Sequence, residues 1–276
     1  MEPDTVELNT LVLDGRRIAY RQSAGRGRAV VLVHGNSSSS RAWQALLDGP
    51  FGQRYRCLAL DLPGHGGSAP AASGDGYSLP GHAEVLVRFV AAVDAQDALV
   101  VGHSLGGHIV LEAAPALTGC AGFAVFGTPP MADLTAMPVA FLPNPLVNMG
   151  FTAEVTPEEA RAYAAGQLAP GSALPVEPIA REILATDGAA RAGLAASLAA
   201  GAFADEVAVA AGLDRPLAVL HGREEQLVSL AYLESLELPR LWRGAVQVVE
   251  GAGHSLQLEA PEALAQLLTE FAEELA

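Results

Sequence analysis

Lysine is absent from this chain of 276 residues: all 16 basic residues are arginine. Neither a lysine Schiff base nor the phosphate-binding lysine of a Walker loop is therefore available. Positive charge is scarce altogether, with 16 arginines against 31 Asp and Glu and a formal net charge of −15. Nucleic acid and anionic membrane surfaces both need clustered cation, so this acid excess argues against either as a partner. Cysteine is nearly missing too. Cys57 and Cys120 each sit in an apolar run, make no disulfide framework, and read as small buried hydrophobes. No run approaches the roughly 18 apolar residues of a membrane span. The most apolar long stretch, 194–204, is alanine interrupted by Ser197 and Gly201. Residues 1–11 carry Glu2, Asp4 and Glu7 and lack the apolar centre of a signal peptide. A cytoplasmic protein is the expectation, with its oligomeric state left open.

What is present is ample material for a core. Apolar residues make up 50% of the chain and charged residues 17%, the opposite of a disordered composition. Leu8–Leu13, the turn Asp14-Gly15 and Arg16–Gln22 read as a hairpin. Short, nearly continuous apolar runs follow at Ala29–Val33, Arg56–Leu60, Ala98–Val101, Ala121–Phe126, Leu217–Leu220 and Ala245–Val249, as in strands covered on both faces. Helical patterns lie at Gly81–Val93, Leu105–Ala116, Val228–Leu236 and Pro261–Leu275. The alternation predicts an α/β fold, a mostly parallel, doubly wound sheet. One connection, about 90 residues from Gly127 to Leu217, is too long for a bare loop. It opens with a proline-punctuated apolar stretch (131–151). Then comes Thr156-Pro157-Glu158-Glu159, an N-cap, a first-turn proline and a capping-box glutamate. Further helical stretches stand at Glu177–Ala185 and Ala189–Ala200. The expected organisation is a core of residues 1–130 and 206–276 with a helical cap insertion over 131–205.

The sharpest chemical signal is Gly102-His103-Ser104-Leu105-Gly106, directly after a strand and directly before a helix. A serine forced into such a turn sits in strained backbone that small neighbours relieve, and its hydroxyl is exposed over a helix N-terminus that favours an oxyanion. A hydroxyl needs a base to become a nucleophile. Of seven histidines, His254 is the candidate, in the glycine-rich loop Gly251-Ala252-Gly253-His254 before the last helix. His34 and His221 end strands and read as structural. His103 reads as pointing into the fold, His65 as part of an ordering loop, and His82 and His108 as surface or packing residues. The acid that orients the imidazole should follow a late strand. After Leu217–Leu220 stand two adjacent carboxylates, Glu224 and Glu225; Glu225, three residues past Gly222, is preferred. Thr128 occupies the corresponding place after the earlier strand, and Asp133 is too far on. The N–H of Leu105 and that of Asn36, in His34-Gly35-Asn36-Ser37, are the candidate oxyanion donors. Gly64-x-Gly66-x-x-Ala69 imitates a dinucleotide fingerprint but runs into Pro70 rather than a helix. No metal-ligand motif such as His-Glu-x-x-His is present, so neither cofactor nor metal is expected.

Together, His34-Gly35, Asp61-Leu62-Pro63-Gly64-His65-Gly66-Gly67-Ser68, Gly102-His103-Ser104-Leu105-Gly106-Gly107, Gly222-x-x-Glu225 and Gly253-His254 resemble the α/β-hydrolase superfamily over nearly the whole chain outside the cap. Serine in the elbow excludes the aspartate-nucleophile epoxide hydrolases and haloalkane dehalogenases. More narrowly, His34-Gly35-Asn36-Ser37, Gly127-Thr128-Pro129-Pro130, a triad glutamate and a cap helix containing Tyr163 are similar to the α/β-hydrolase-fold N-acyl-homoserine lactonases. That resemblance implies metal-independent opening of a lactone ring by Ser104, His254 and Glu225, with Tyr163 hydrogen-bonding the substrate. The alternatives are a broad carboxylesterase or carbon–carbon bond hydrolase acting on small hydrophobic substrates, and a non-catalytic receptor on the same fold.

Overall fold

The computed structural model describes residues 6–275, so the reading of the acidic N-terminus falls partly outside the described residues. Eight strands form one sheet: β1 (Glu7–Leu13), β2 (Arg16–Gln22), β3 (Ala29–Val33), β4 (Arg56–Leu60), β5 (Leu99–His103), β6 (Gly122–Phe126), β7 (Leu217–Gly222) and β8 (Gln247–Val249). Their order is β1-β2-β4-β3-β5-β6-β7-β8. β1 and β2 join antiparallel, β2 meets β4 antiparallel, and every other pairing is parallel. The hairpin turns where expected: Asp14 and Gly15 have φ of 51° and 76°, the left-handed pair a two-residue turn requires.

Every residue of β3, β5, β6 and β7 is buried, because the alternating side chains of each strand enter two different cores. Val31, Val33, Val100, Phe123, Val125 and Val219 pack on one face with the helices Leu79–Ala92 and Leu105–Ala113. Val30, Leu32, Leu99, Val101, Phe126 and Leu220 pack on the other with Trp43, Leu46 and the Pro261–Glu274 helix. At about 1.5–3 kcal/mol per fully buried large aliphatic or aromatic side chain, these two layers hold the sheet rigid. Among the described residues β1 has one neighbour, and it leaves Leu8 and Val12 exposed.

Between β6 and β7 the described chain has helices and no strand. The capping box at Thr156 forms as its residues predict: the Thr156 side chain accepts from Glu159 N, and Glu159 Oε2 accepts from Thr156 N at 2.8 Å. The Pro157–Gly166 helix packs on the Glu177–Ala185 helix around a small apolar centre of Ala160, Tyr163, Ala164, Ala180 and Ile183. Two short helices, Gln44–Asp48 and Pro50–Arg54, and one at Glu206–Ala211 have no counterpart in the sequence pattern. Each is too short to develop a helical period. Among the described residues no helix is long and apolar enough to cross a membrane.

Candidate active site

The loops leaving the carboxyl ends of β3, β5, β6 and β7, and the loop after β8, converge at one edge of the sheet. Open parallel sheets bind ligands there. At the end of β5, Ser104 has φ 53° and ψ −120°, a strained conformation for a residue with a side chain. The neighbouring glycines permit it. A methyl group on Gly102 would lie 2.4 Å from the Gly106 carbonyl oxygen, and one on Gly107 would lie 2.0 Å from Thr128 Oγ1. Ser104 N donates to the Phe126 carbonyl at 2.9 Å, and Thr128 Oγ1 donates to the Ser104 carbonyl at 2.8 Å, so the turn is pinned to β6. Leu105 begins the helix and its N–H is one of the amides that lack a helical acceptor.

His254 and Glu225 meet as expected. His254 Nδ1 donates to Glu225 Oε2 at 2.8 Å, and both side chains are buried. The other Glu225 oxygen accepts from Leu227 N at 2.7 Å. Burial pushes the Glu225 carboxyl up, but the charge and hydrogen bond of His254 and the Leu227 N–H outweigh it and hold the group below its ordinary value. Glu224 is exposed, and no bond joins its side chain to His254. Gly127, at φ 61°, lies against the imidazole: a methyl there would sit 2.7 Å from His254 Cε1. Ser104 and His254 line the same pocket, but no hydrogen bond joins the Ser104 hydroxyl to the imidazole in this structure.

His103 does point into the fold. Its Nε2–H donates to the His254 carbonyl at 3.0 Å, its Nδ1 accepts from Gln257 at 3.1 Å, and its ring stacks on Phe126. It therefore props the loop that carries His254. His34 does the same for the β3 loop, bonding the Gly35 carbonyl through Nδ1 at 2.8 Å and accepting from Leu62 N at 3.1 Å. His82 is a packing residue, fully buried beside Tyr77 and His65.

Asn36 lines the pocket, and its Nδ2 donates to the Gly150 carbonyl at 2.6 Å. Its Oδ1 accepts from Ser37 Oγ at 3.0 Å, and Ser37 Oγ accepts from Arg191 Nη1 at 3.3 Å. Arg191 is buried with no carboxylate partner among the described residues and also binds the carbonyls of Thr152, Ala153 and Ile183. This chain of bonds ties the β3 loop to the segment after β6. Tyr163 is buried in the pocket wall, where burial raises its hydroxyl to about 12, so at neutral pH it is a hydrogen-bond donor. A methyl on Gly150 would stand 3.0 Å from both the Tyr163 hydroxyl and Asn36 Nδ2, so a larger residue there would push these two groups aside by a few tenths of an ångström.

One pocket thus brings together Ser104, Leu105, Asn36, Tyr163 and His254, with Glu225 behind the imidazole. It has about 740 Å³ of empty space, part of it open to solvent, within the size range of small-molecule sites. Its remaining lining is mostly apolar, with Met137, Phe141, Val147, Phe151, Leu194 and Leu198 contributed by the segment between β6 and β7. His108 requires a correction. Read from sequence as a surface or packing residue, it lines this pocket, with Nδ1 bonded to Glu206. Glu206, beside Asp205, and Arg191 escaped sequence reasoning because each stands in an alanine-rich stretch with no catalytic or binding motif around it.

The buried imidazoles make stability pH-dependent. Burial lowers His34, His65, His82, His103 and His221 from their ordinary 6.5, His82 to about 3. The unfolded chain takes up protons near 6.5 that the folded chain refuses, so stability is full above 6.5 and falls as the pH drops toward 3. Each group contributes up to about 1.4 kcal/mol per pH unit. The thermal midpoint is expected to be level from pH 7 to 8 and clearly lower at pH 5; a midpoint unchanged at pH 5 would contradict neutral burial of these rings.

Comparison with known proteins identifies the fold and the family. The model of the Alpha/beta hydrolase family matches residues 30–267. The N-acyl homoserine lactonase AidH, as a mutant complexed with N-hexanoyl homoserine, superposes with a TM-score of 0.94 at 30% identity, covering 99% of this chain and 98% of that one. The esterase RhEst1 from Rhodococcus sp. ECU1013 shares the fold, with a TM-score of 0.80 at 24% identity over 98% of this chain and 99% of that chain. Among curated proteins, the dihydrolipoyllysine-residue acetyltransferase component of the acetoin cleaving system of Cupriavidus necator is 36% identical over 102 residues, 37% of this chain and 26% of that protein. Human protein ABHD14A is 35% identical over 116 residues, 40% of this chain and 42% of that protein. The chain spans less than half the length of these two curated relatives. With the serine turn, the imidazole–carboxylate pair and the family match over most of its length, this chain belongs to the α/β-hydrolase family.

Proposed function

We propose that this protein is a serine hydrolase that opens the lactone ring of N-acyl-homoserine lactones, an activity that would quench a lactone-based quorum signal. The observation that carries the choice of substrate is the end-to-end likeness to AidH, whose structures hold N-hexanoyl homoserine and N-hexanoyl homoserine lactone. Ser104 is the nucleophile. His254 accepts its proton as Oγ attacks the lactone carbonyl, and Glu225 keeps the imidazole oriented and balances its positive charge. Hydrogen bonds of the serine–imidazole kind are often long before substrate binds and tighten with it. The Asn36 and Leu105 N–H groups hold the tetrahedral oxyanion, each such donor contributing a factor of about 10²–10³ in rate. Collapse breaks the ring C–O bond, and His254 returns the proton to the leaving alkoxide. A water deprotonated by His254 then releases the acyl-enzyme as the open N-acyl-homoserine. Because the leaving alcohol stays tethered, it competes with water until the ionised carboxylate product forms. Tyr163 donates to the substrate. Residues 131–205 act as a cap over the core of 1–130 and 206–276, and their apolar lining receives the acyl tail. Met131 and Met137 suit a flexible chain.

Incubation with N-hexanoyl homoserine lactone and with p-nitrophenyl esters tests the reading. Ring-opened product is expected, with kcat/KM at least about ten-fold above that for the esters, a difference of about 1.4 kcal/mol in transition-state binding. Ester cleavage with no lactone opening would leave a carboxylesterase. Tight binding without turnover of any substrate would leave a receptor.

A further inference from the structure

His108 and Glu206 form a second imidazole–carboxylate pair in the pocket wall, and the proposed mechanism uses neither. Glu206 is fully buried; its carboxylate accepts from His108 Nδ1 at 2.8 and 2.9 Å and from Met131 N at 3.0 Å. A carboxylate so placed needs partners of this kind to offset its lost hydration. His108 is the half-open member: its side chain keeps 13% exposure, it lines the pocket, and no protein group among the described residues bonds its Nε2. With the Nδ1 proton committed to Glu206, a neutral ring offers Nε2 as an acceptor. In a pocket lined mostly by apolar side chains, the neutral ring thus presents its Nε2 as an acceptor.

Its spacing from Ser104 follows from helix geometry. His108 stands four residues beyond Ser104 on the Leu105–Ala113 helix, a rise of about 6 Å. In an N-acyl-homoserine lactone the third carbon of the acyl chain lies five bonds from the scissile carbonyl carbon. Three such bonds span about 3.8 Å, so five span about 6 Å. Resting on the lactonase reading, we infer that His108, oriented by Glu206, is a specificity subsite that accepts a hydrogen bond from a hydroxyl on the third carbon of the acyl chain. A plain chain leaves the acceptor without a partner, and an oxo group at that carbon presents a second acceptor to it.

The test compares lactones of one chain length that carry a hydroxyl, an oxo group or no substituent at the third carbon. For the unaltered enzyme kcat/KM is expected to be about ten-fold higher with the hydroxylated chain than with the plain one. In His108→Asn the amide nitrogen replaces Nδ1, so Glu206 keeps its donor and the Met131 loop its anchor, while the pocket-facing acceptor is lost. The hydroxyl-to-plain ratio should fall to about one, with the thermal midpoint verifying the fold. A ratio near one in the unaltered enzyme, a preference for the oxo chain, or a ratio unchanged in His108→Asn overturns the subsite; the first two results decide even if the variant fails to fold. Calorimetric binding of the hydroxylated and plain lactones to Ser104→Ala separates this inference from the lactonase reading. Preferential binding of the hydroxylated chain without turnover by the unaltered enzyme upholds the subsite while the lactonase reading fails. Equal affinity overturns the subsite.

Discussion

Replacement of Ser104 by alanine is expected to lower hydrolysis by at least about 10⁴-fold while leaving the fold unchanged, since removal of a nucleophile from such a unit leaves only binding and oxyanion stabilisation. The strained turn does not depend on the hydroxyl. It is built by Ser104 N on the Phe126 carbonyl, by Thr128 Oγ1 on the Ser104 carbonyl, and by the glycines packed beside it. Alanine retains all of these contacts, so circular dichroism and the thermal midpoint should match those of the parent. Hydrolysis retained in that variant would remove Ser104 from the mechanism.

The second large effect is at Glu225. In Glu225→Gln the side chain keeps its length but loses its charge, and it presents an amide nitrogen to one of two donors, Leu227 N–H or His254 Nδ1–H. Either the loop bond is lost or the imidazole is turned into the wrong tautomer, and its charged form loses its counter-ion in a buried site. The expected result is a fall in kcat of about 10³–10⁴-fold with a much smaller change in KM. Glu224→Gln is the control: Glu224 is exposed, its contribution to the fold is its backbone N–H to the Ala252 carbonyl, and activity within about two-fold of the parent is expected. A large loss in Glu224→Gln with little in Glu225→Gln would reverse the assignment of the acid.

The contrast between these two glutamates shows what a sequence can carry. Both follow a strand and both have the required carboxylate. Distance from Gly222 favoured Glu225, and the structure buries that residue against His254 while Glu224 meets solvent. The elbow was legible for a stronger reason: a serine at φ 53° needs small residues at fixed offsets, and Gly102, Gly106 and Gly107 are local in sequence. The strands were legible because β3, β5, β6 and β7 are buried on both faces and so read as unbroken apolar runs. The Thr156 capping box was legible because all its parts lie within four residues. Strand order was not, since the antiparallel junction of β2 with β4 depends on contacts between distant segments. The same holds for Arg191, which binds Ser37 across 154 positions, and for Glu206, which reaches His108 across 98. A charged residue in an alanine-rich stretch has the same sequence signature whether it faces water or holds a loop. His108 was misplaced for this reason: helical spacing fixes its face, but only the fold shows that Ser104 and the pocket lie on that face.

Labelling with a fluorophosphonate, which reacts with a hydroxyl only when a base activates it, tests the central claim most directly. The account predicts one adduct per chain, mapped by peptide mass spectrometry to Ser104, slowed by N-hexanoyl homoserine lactone and greatly reduced in Glu225→Gln. An unlabelled chain, or an adduct on any other serine, would contradict it.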